Sequence, residues 1–244
     1  MKLRNTLAAA IVFACAPLAN ASADEGWDWG LTPYLWASSI STDLREDAPP
    51  VGNETDFNSI ISKIDMGFLG HVEGQGDDFG VFADVVYLSL ADSRDGRFAQ
   101  TDADLDTLVF ELAGVWAPGE VRNQGIEVFG GLRHIVVDLN VDIDPNAALL
   151  NTWNTGFDQS FSDVMIGARY KGAINDKWGY ALRADGSWGD TEGTYSTSII
   201  FAYKTDGGGA WNFGYRYMDT DLAVKTTSVA LQLHGPVVGY TFNF

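Results

Sequence analysis

Apolar and polar residues alternate one by one through much of the second half of the chain. Trp211, Phe213, Tyr215 and Tyr217 share one face of an extended segment, opposite Asn212, Gly214, Arg216 and Met218. Trp178, Tyr180, Leu182, Ala184 and Trp188 oppose Gly179, Ala181, Arg183, Asp185 and Ser187. The same holds for Tyr195, Thr197, Ile199, Phe201 and Tyr203 against Ser196, Ser198, Ala202 and Lys204. It holds again for Val164, Ile166, Ala168 and Tyr170 against Asp163, Gly167, Arg169 and Lys171. A period of two is that of a β-strand. A soluble sandwich would pack Val, Ile and Leu on its buried face and leave the other face to water. Here Trp and Tyr gather towards the strand ends, like the interfacial girdles of a membrane barrel. The opposite face is small with isolated charges, which fits a narrow lumen.

Ten such segments follow one another, at 27–39, 65–75, 79–91, 105–117, 124–140, 161–172, 177–189, 194–205, 210–220 and 226–244. Short turns rich in Gly, Asp, Asn and Pro alternate with longer polar connections at 40–64, 92–104 and 141–160. An even strand number, both termini on one side and short turns opposite long loops form the plan of a bacterial membrane barrel. The prediction is all-β: a closed antiparallel transmembrane barrel of ten strands, with eight or twelve as the alternatives. Two places break the pattern. Leu231 and Leu233 run out of phase with Val238, Tyr240 and Phe242, so a bulge is expected at Gly235-Pro236. In the first segment the facing of Tyr34 and Trp36 against Trp29, Leu31 and Leu35 is ambiguous. Within the first long connection, Phe57, Ile60, Ile61 and Ile64 recur at helical spacing behind Asp56. This stripe, spanning 56–64, is expected to cover the barrel mouth or to enter the lumen as a plug.

The start of the chain adds a destination. Lys2 and Arg4, an apolar run from Leu7 to Ala16, and small residues up to Ala23 make a secretory signal peptide over residues 1–23. Cys15 raises a lipoprotein reading, but Phe13 stands where a lipobox needs a small residue. Cleavage after Ala23 removes two of the 15 basic residues, none of the 33 acidic ones and the single Cys, leaving residues 24–244 with a net charge of −20 and no disulfide. So large an acidic excess excludes nucleic acid as a partner and disfavours docking on anionic headgroups. Aromatic residues make up 13% of the chain, alongside 27 Gly, which suits strands with only one lipid-facing side.

The last residues carry a resemblance. Gly239-x-x-Phe242-x-Phe244, with Tyr240 between, is similar to the C-terminal assembly signal of Gram-negative outer-membrane barrels. It departs at Val237, where a polar residue is usual. Further pieces are Pro33-Tyr34-Leu35-Trp36, the run Asp56 to Asp65, Gly80 to Leu88, Gly131-Leu132-Arg133 and Gly235-Pro236. With these the chain from Trp27 onward resembles a family of proteobacterial outer-membrane β-barrel proteins that brings no established activity with it. The resemblance implies outer-membrane localisation, contact with outer-membrane lipid and lipopolysaccharide, insertion by the barrel assembly machinery, and a monomer.

If the apolar faces meet lipid, the lumen collects His71, Glu73, Asp84, Glu111, Glu127, Arg133, Asp163, Arg169, Lys171, Arg183, Asp185, Lys204 and Arg216. The two signs are nearly balanced. One reading is a narrow pore for small polar solutes, with the four Arg as selectivity charges and Glu111, Glu127, Asp185 and Asp84 as their partners. The other is an ion-pair network that fills a small barrel and leaves a structural or surface-interaction protein. No catalytic site is expected, because no His stands beside an acid at a loop-side strand end. Acidic runs at Asp102, Asp104 and Asp106, at Asp138, Asp142 and Asp144, and at Asp219 and Asp221 lack calcium-loop spacing and read as solvated acids. No metal or cofactor is expected.

Overall fold

A computed structural model describes residues 26–44, 53–55, 64–95, 99–119, 123–145, 152–224 and 227–244. The signal segment and Phe57, Ile60 and Ile61 lie outside the described residues. The strands are β1 (Asp28–Trp36), β2 (Ser39–Leu44), β3 (Asn53–Thr55), β4 (Ile64–Gln75), β5 (Phe79–Asp95) and β6 (Ala99–Trp116), followed by β7 (Gly125–Pro145), β8 (Trp153–Ala173), β9 (Trp178–Gly189), β10 (Gly193–Lys204), β11 (Ala210–Val224) and β12 (Thr227–Asn243).

Antiparallel pairing runs from β1 through β4 and on in order to β12, and β12 returns to β1, closing a ring of ten strands. β2 prolongs β1 along β12 without a change of register, and β3 pairs with the outer edge of β2. The strands slant. Residues paired from Asp28 through Gln75, Gly80, Val115, Phe129, Gly167, Asp185, Ser196, Met218 and Leu233 lead back to Ile40, twelve residues above the start. A stagger of this kind is what closing a tilted barrel requires.

The outer face is apolar where a membrane would lie. Leu35, Val164, Leu132, Ile166 and Phe242 are 68, 65, 59, 58 and 52% exposed. A continuous band of this kind is far beyond the apolar patches a soluble monomer carries, and lipid is its natural solvent. Aromatic contacts rim the end that holds the chain termini, with Trp178 against Tyr203 and Trp211 against Tyr240, each at 5.0 Å. Trp188 and Tyr195 meet at 5.9 Å nearer the other end. Rings also lie over outward glycines: a Cβ at Gly74, Gly172 or Gly186 would sit 2.6 Å from the ring of Trp29, Tyr180 or Trp188. Those glycines exist to let the rings lie flat on the strand.

Three expectations need correction. The connections 92–104 and 141–160 are mostly strand: β5 runs to Asp95, β6 starts at Ala99, β7 runs to Pro145 and β8 starts at Trp153. Within 40–64 the chain forms β2 and β3, and Ile64 opens β4 rather than ending a helical stripe. β12 has no bulge, since its ladder with β11 is unbroken from Ala210–Thr241 to Val224–Thr227. Leu231 and Leu233 therefore face inward with Val237 and Gly239. In β1 the facing resolves with Tyr34 and Trp36 inward and Leu35 outward, because Trp36 is 7% exposed and Leu35 is 68% exposed.

Candidate functional site

The lumen is layered, and the strand period builds each layer. Inward residues of neighbouring strands stand level when their strands pair, so Asp84, Glu111, Arg133 and Asp163 line up from β5 to β8. Two positions nearer the loop end, the same strands carry Val86, Val109, Ile135 and Phe161. Trp36 stands in that relation to Tyr34, Leu69 to His71, and Met218 to Arg216. Together with Val137, Leu222 and Leu233 these form one buried apolar cluster. An apolar layer thus lies directly on a charged one across seven strands.

The charged layer is continuous. Arg133 donates to Glu111 through Nε at 3.0 Å and Nη2 at 2.7 Å, to Asp185 at 2.5 Å and to Ser187 at 3.1 Å. Arg183 donates to Asp185 and Glu111, each at 2.8 Å. Arg216 reaches Glu111 at 3.3 Å and Asp84 at 3.4 Å, and Tyr34 Oη donates to Asp84 at 2.8 Å. Three guanidinium groups therefore share the Glu111 carboxylate, whose two oxygens satisfy them as only Arg forks permit. His71 bridges the layer to the turn end, with Nδ1 3.2 Å from Asp84 and Nε2 3.3 Å from Glu73. Glu73 accepts from Arg169 at 2.5 and 3.0 Å and from Lys171 at 2.7 Å, while Arg169 Nε donates to Glu127. Asp163 is held by hydroxyls instead, from Ser187 at 3.0 Å and Thr191 at 2.5 Å. Arg133, Glu111 and Glu127 are 0% exposed. Charges so far from water persist only when paired and hydrogen-bonded, as these are.

Towards the turn end the lumen divides. On the β5–β8 side Phe82, Ala113, Val115, Phe129 and Met165 form a second apolar cluster, with Phe82 and Phe129 edge to face at 5.3 Å. The Arg183 guanidinium lies over both rings, 5.2 and 4.9 Å from their centroids. Gly167 makes room for this packing: a Cβ there would lie 2.4 Å from Phe129 and 2.5 Å from Asp185. On the side of β9 to β12 and β1 the lumen is hollow, a cavity of about 850 Å³. Its inner end is lined by Tyr34, Asp84, Arg183 and Arg216 and its mouth by Trp27, Asn123, Gly208 and Phe244.

The structure brings twelve of the thirteen expected lumenal residues into these layers; Lys204 faces the same way but is exposed at the turn end. Among the terminal residues, Gly239 is buried against Tyr34, Tyr240 meets Thr205 Oγ1 at 3.1 Å, and Phe242 points outward. Phe244 closes on Trp29 through backbone bonds of 3.0 and 3.4 Å.

The acidic runs stand on strands rather than loops. Asp102 pairs opposite Asp142 and Asp106 opposite Asp138, which itself faces Asp158. Asn140 donates to Asp138 at 2.9 Å and Asn154 to Asp142 at 2.7 Å. Among the described residues no group of three His, Cys, Asp or Glu converges as a metal site would. Sequence reasoning missed polar pairs on the outer face, among them His134 Nδ1, 2.9 Å from Ser162 Oγ. No carboxylate among the described residues meets that imidazole. The direct pairing of β7 with β8 explains the contact, and a sequence without known register could not show it.

No family model matches the chain, and no curated protein matches it. Solved structures similar in overall outline include the attachment invasion locus protein Ail of Yersinia pestis, at 9% identity and a TM-score of 0.39, covering 89% of this chain and 99% of that one. Neisserial surface protein A follows at 11% identity and a TM-score of 0.36, covering 90 and 99%. The outer membrane protein OprG of Pseudomonas aeruginosa stands at 14% identity and 0.31, covering 90 and 96%.

Proposed function

We propose that this protein is an outer-membrane barrel that does not conduct in its resting form and acts as a structural or surface-interaction element. The observation that supports this most is the stack of two filled layers across the lumen. Arg133 and Glu111 have no exposed surface, and Val86, Val109, Ile135 and Met218, at 1 to 3% exposure, lie directly above. A ten-stranded barrel is near the size that side chains alone can fill. In this reading the turns and both termini face the periplasm, and β5 to β8 rise outside with Asp104, Asp142, Asp144 and Asp158 on their exposed outer face. The surroundings are outer-membrane lipid and lipopolysaccharide, the barrel assembly machinery reads Gly239, Tyr240, Phe242 and Phe244, and the protein is a monomer.

A narrow pore for small polar solutes is the second reading, and the turn-end cavity favours it, since half the lumen is already open. Planar-bilayer recording of the refolded protein separates the two. A silent membrane at all voltages is expected; stepwise events with ion selectivity would establish the pore instead. Extraction of the native protein by salt or alkali without detergent would remove the membrane assignment altogether.

A further inference from the structure

Arg183, Ser198 and Arg216 stand side by side on β9, β10 and β11, with Ser198 paired to Arg183 on one flank and to Arg216 on the other. All three line the turn-end cavity. Of the carboxylates that balance the two guanidinium groups, Glu111 and Asp185 have 0% side-chain exposure and lie behind them, while Asp84 lines the cavity and pairs with Arg216. Arg183 uses Nε and Nη2 on those acids, and its Nη1 has no hydrogen-bond partner among the described residues. Arg216 uses Nη1 on Tyr34 and Asp84 and Nη2 on Glu111, leaving Nε without one. Ser198 Oγ makes no hydrogen bond to a described residue, and it is not cut off from the cavity. Both cations are fixed in place, Arg183 on two Phe rings and Arg216 over Trp36 at 5.0 Å.

The wall around this row is neutral. Ala181, Ile200, Asn212, Val237 and Thr241 line it; of the cavity's three acids, Glu73 and Asp84 sit across from it, already engaged by Arg169, Lys171, His71 and Arg216, and Asp28 accepts from Asn123 at 3.4 Å. Two preorganised guanidinium edges flanking a free hydroxyl, without a competing acid on their own wall, match an oxyanion. The adjoining Ile200, Ala181 and Val237 match a carbon skeleton, and about 850 Å³ holds one of moderate size.

We propose that the turn-end cavity is a closed-ended binding site for a small organic carboxylate. The carboxylate lies between Arg183 and Arg216 and accepts from Ser198 Oγ, and its apolar body rests on Ile200 and Val237. This goes beyond the non-conducting reading and is independent of it, because binding needs no passage through the layers above.

The test uses the refolded full barrel in detergent micelles and titration calorimetry at fixed ionic strength, with benzoate, its neutral isostere benzamide, and inorganic phosphate. Benzoate is expected to saturate one site, with benzamide at least about tenfold weaker. Ser198→Asp places a carboxylate of the protein between the two guanidinium groups; it should abolish benzoate binding and raise the unfolding temperature. Ser198→Ala leaves the ion pairs untouched and should weaken benzoate about fivefold, from the loss of one hydrogen bond. No saturable benzoate heat, equal binding of benzamide, or wild-type affinity in Ser198→Asp overturns the proposal. Saturable phosphate binding without benzoate binding overturns the carboxylate assignment.

Discussion

The two ends of the lumen are built from the same strands and meet opposite fates. Towards the loops seven strands, from Trp36 to Met218, present bulky apolar residues inward, and the interior there is filled. Towards the turns the β9–β12 wall presents Ala181, Ser198, Gly239 and Thr241, and the interior is hollow. Between them lies the charged layer, in which Glu111 and Asp185 lie behind the cations that edge the hollow and Asp84 stands at its inner end. The difference teaches that a filled end and a hollow end can share one narrow barrel. Side-chain volume closes one end, its absence opens the other, and a shared ion-pair sheet gives each what it needs.

The strongest way to break that division is Glu111→Gln, which leaves Arg133, Arg183 and Arg216 without their common carboxylate. A buried ion pair broken on one side loses about 3–5 kcal/mol, and three stranded cations place this variant at the upper end. Urea unfolding of the micellar protein, followed by tryptophan fluorescence, should show the loss. Phe161→Ala attacks the apolar layer alone and should lower stability by about 3 kcal/mol through the cavity it leaves. Planar bilayers should stay silent with it, since the charged layer still spans the lumen; a channel in this variant would mean the apolar layer does the sealing. Gly167→Ala presses a methyl against Phe129 and Asp185 and should lower stability by about 2 kcal/mol from overpacking. At the small end, Lys177→Ala removes the pair with Asp206 at 3.2 Å, in which both side chains are more than half exposed. No measurable change in unfolding is expected, because exposed pairs contribute little.

The sequence reveals the lipid-facing part of this molecule well, because lipid imposes a rule on every second residue. Tyr195 to Tyr203 or Trp211 to Tyr217 can be read as strands with their facing known. Above the membrane that rule lapses. Asp102 and Asp104 alternate with Thr101 and Ala103, and without a lipid face they look like loop, although β6 already pairs there with β7. The lumenal charges were legible for the converse reason, since Arg133 or Arg169 cannot face lipid. The apolar layer above them was not. Leu231 and Leu233 at inward positions look like an outward face shifted by one, and only the unbroken ladder of β12 with β11 shows otherwise. The cavity was hidden too, as Ala181 and Gly239 are unremarkable until closure of the barrel sets them on one wall of the hollow.

The closing ladder also bears on how the molecule is made. β12 is the last strand in the chain and pairs with the first, so that Thr32 and Thr241, 209 positions apart, share a hydrogen bond of 2.7 Å. Apart from β1–β4, which spans the intervening β2 and β3, every other ladder of the ring joins strands adjacent in sequence and can form as each hairpin arrives. This one requires the whole chain, and contacts of such long sequence separation are the slowest to gain. Until it forms, β1 and β12 are two bare edges with unpaired backbone groups, which hydrocarbon does not tolerate. Closure is therefore the committed step of insertion, and a chain cut short before Gly239 should stall there as an open, degradable sheet.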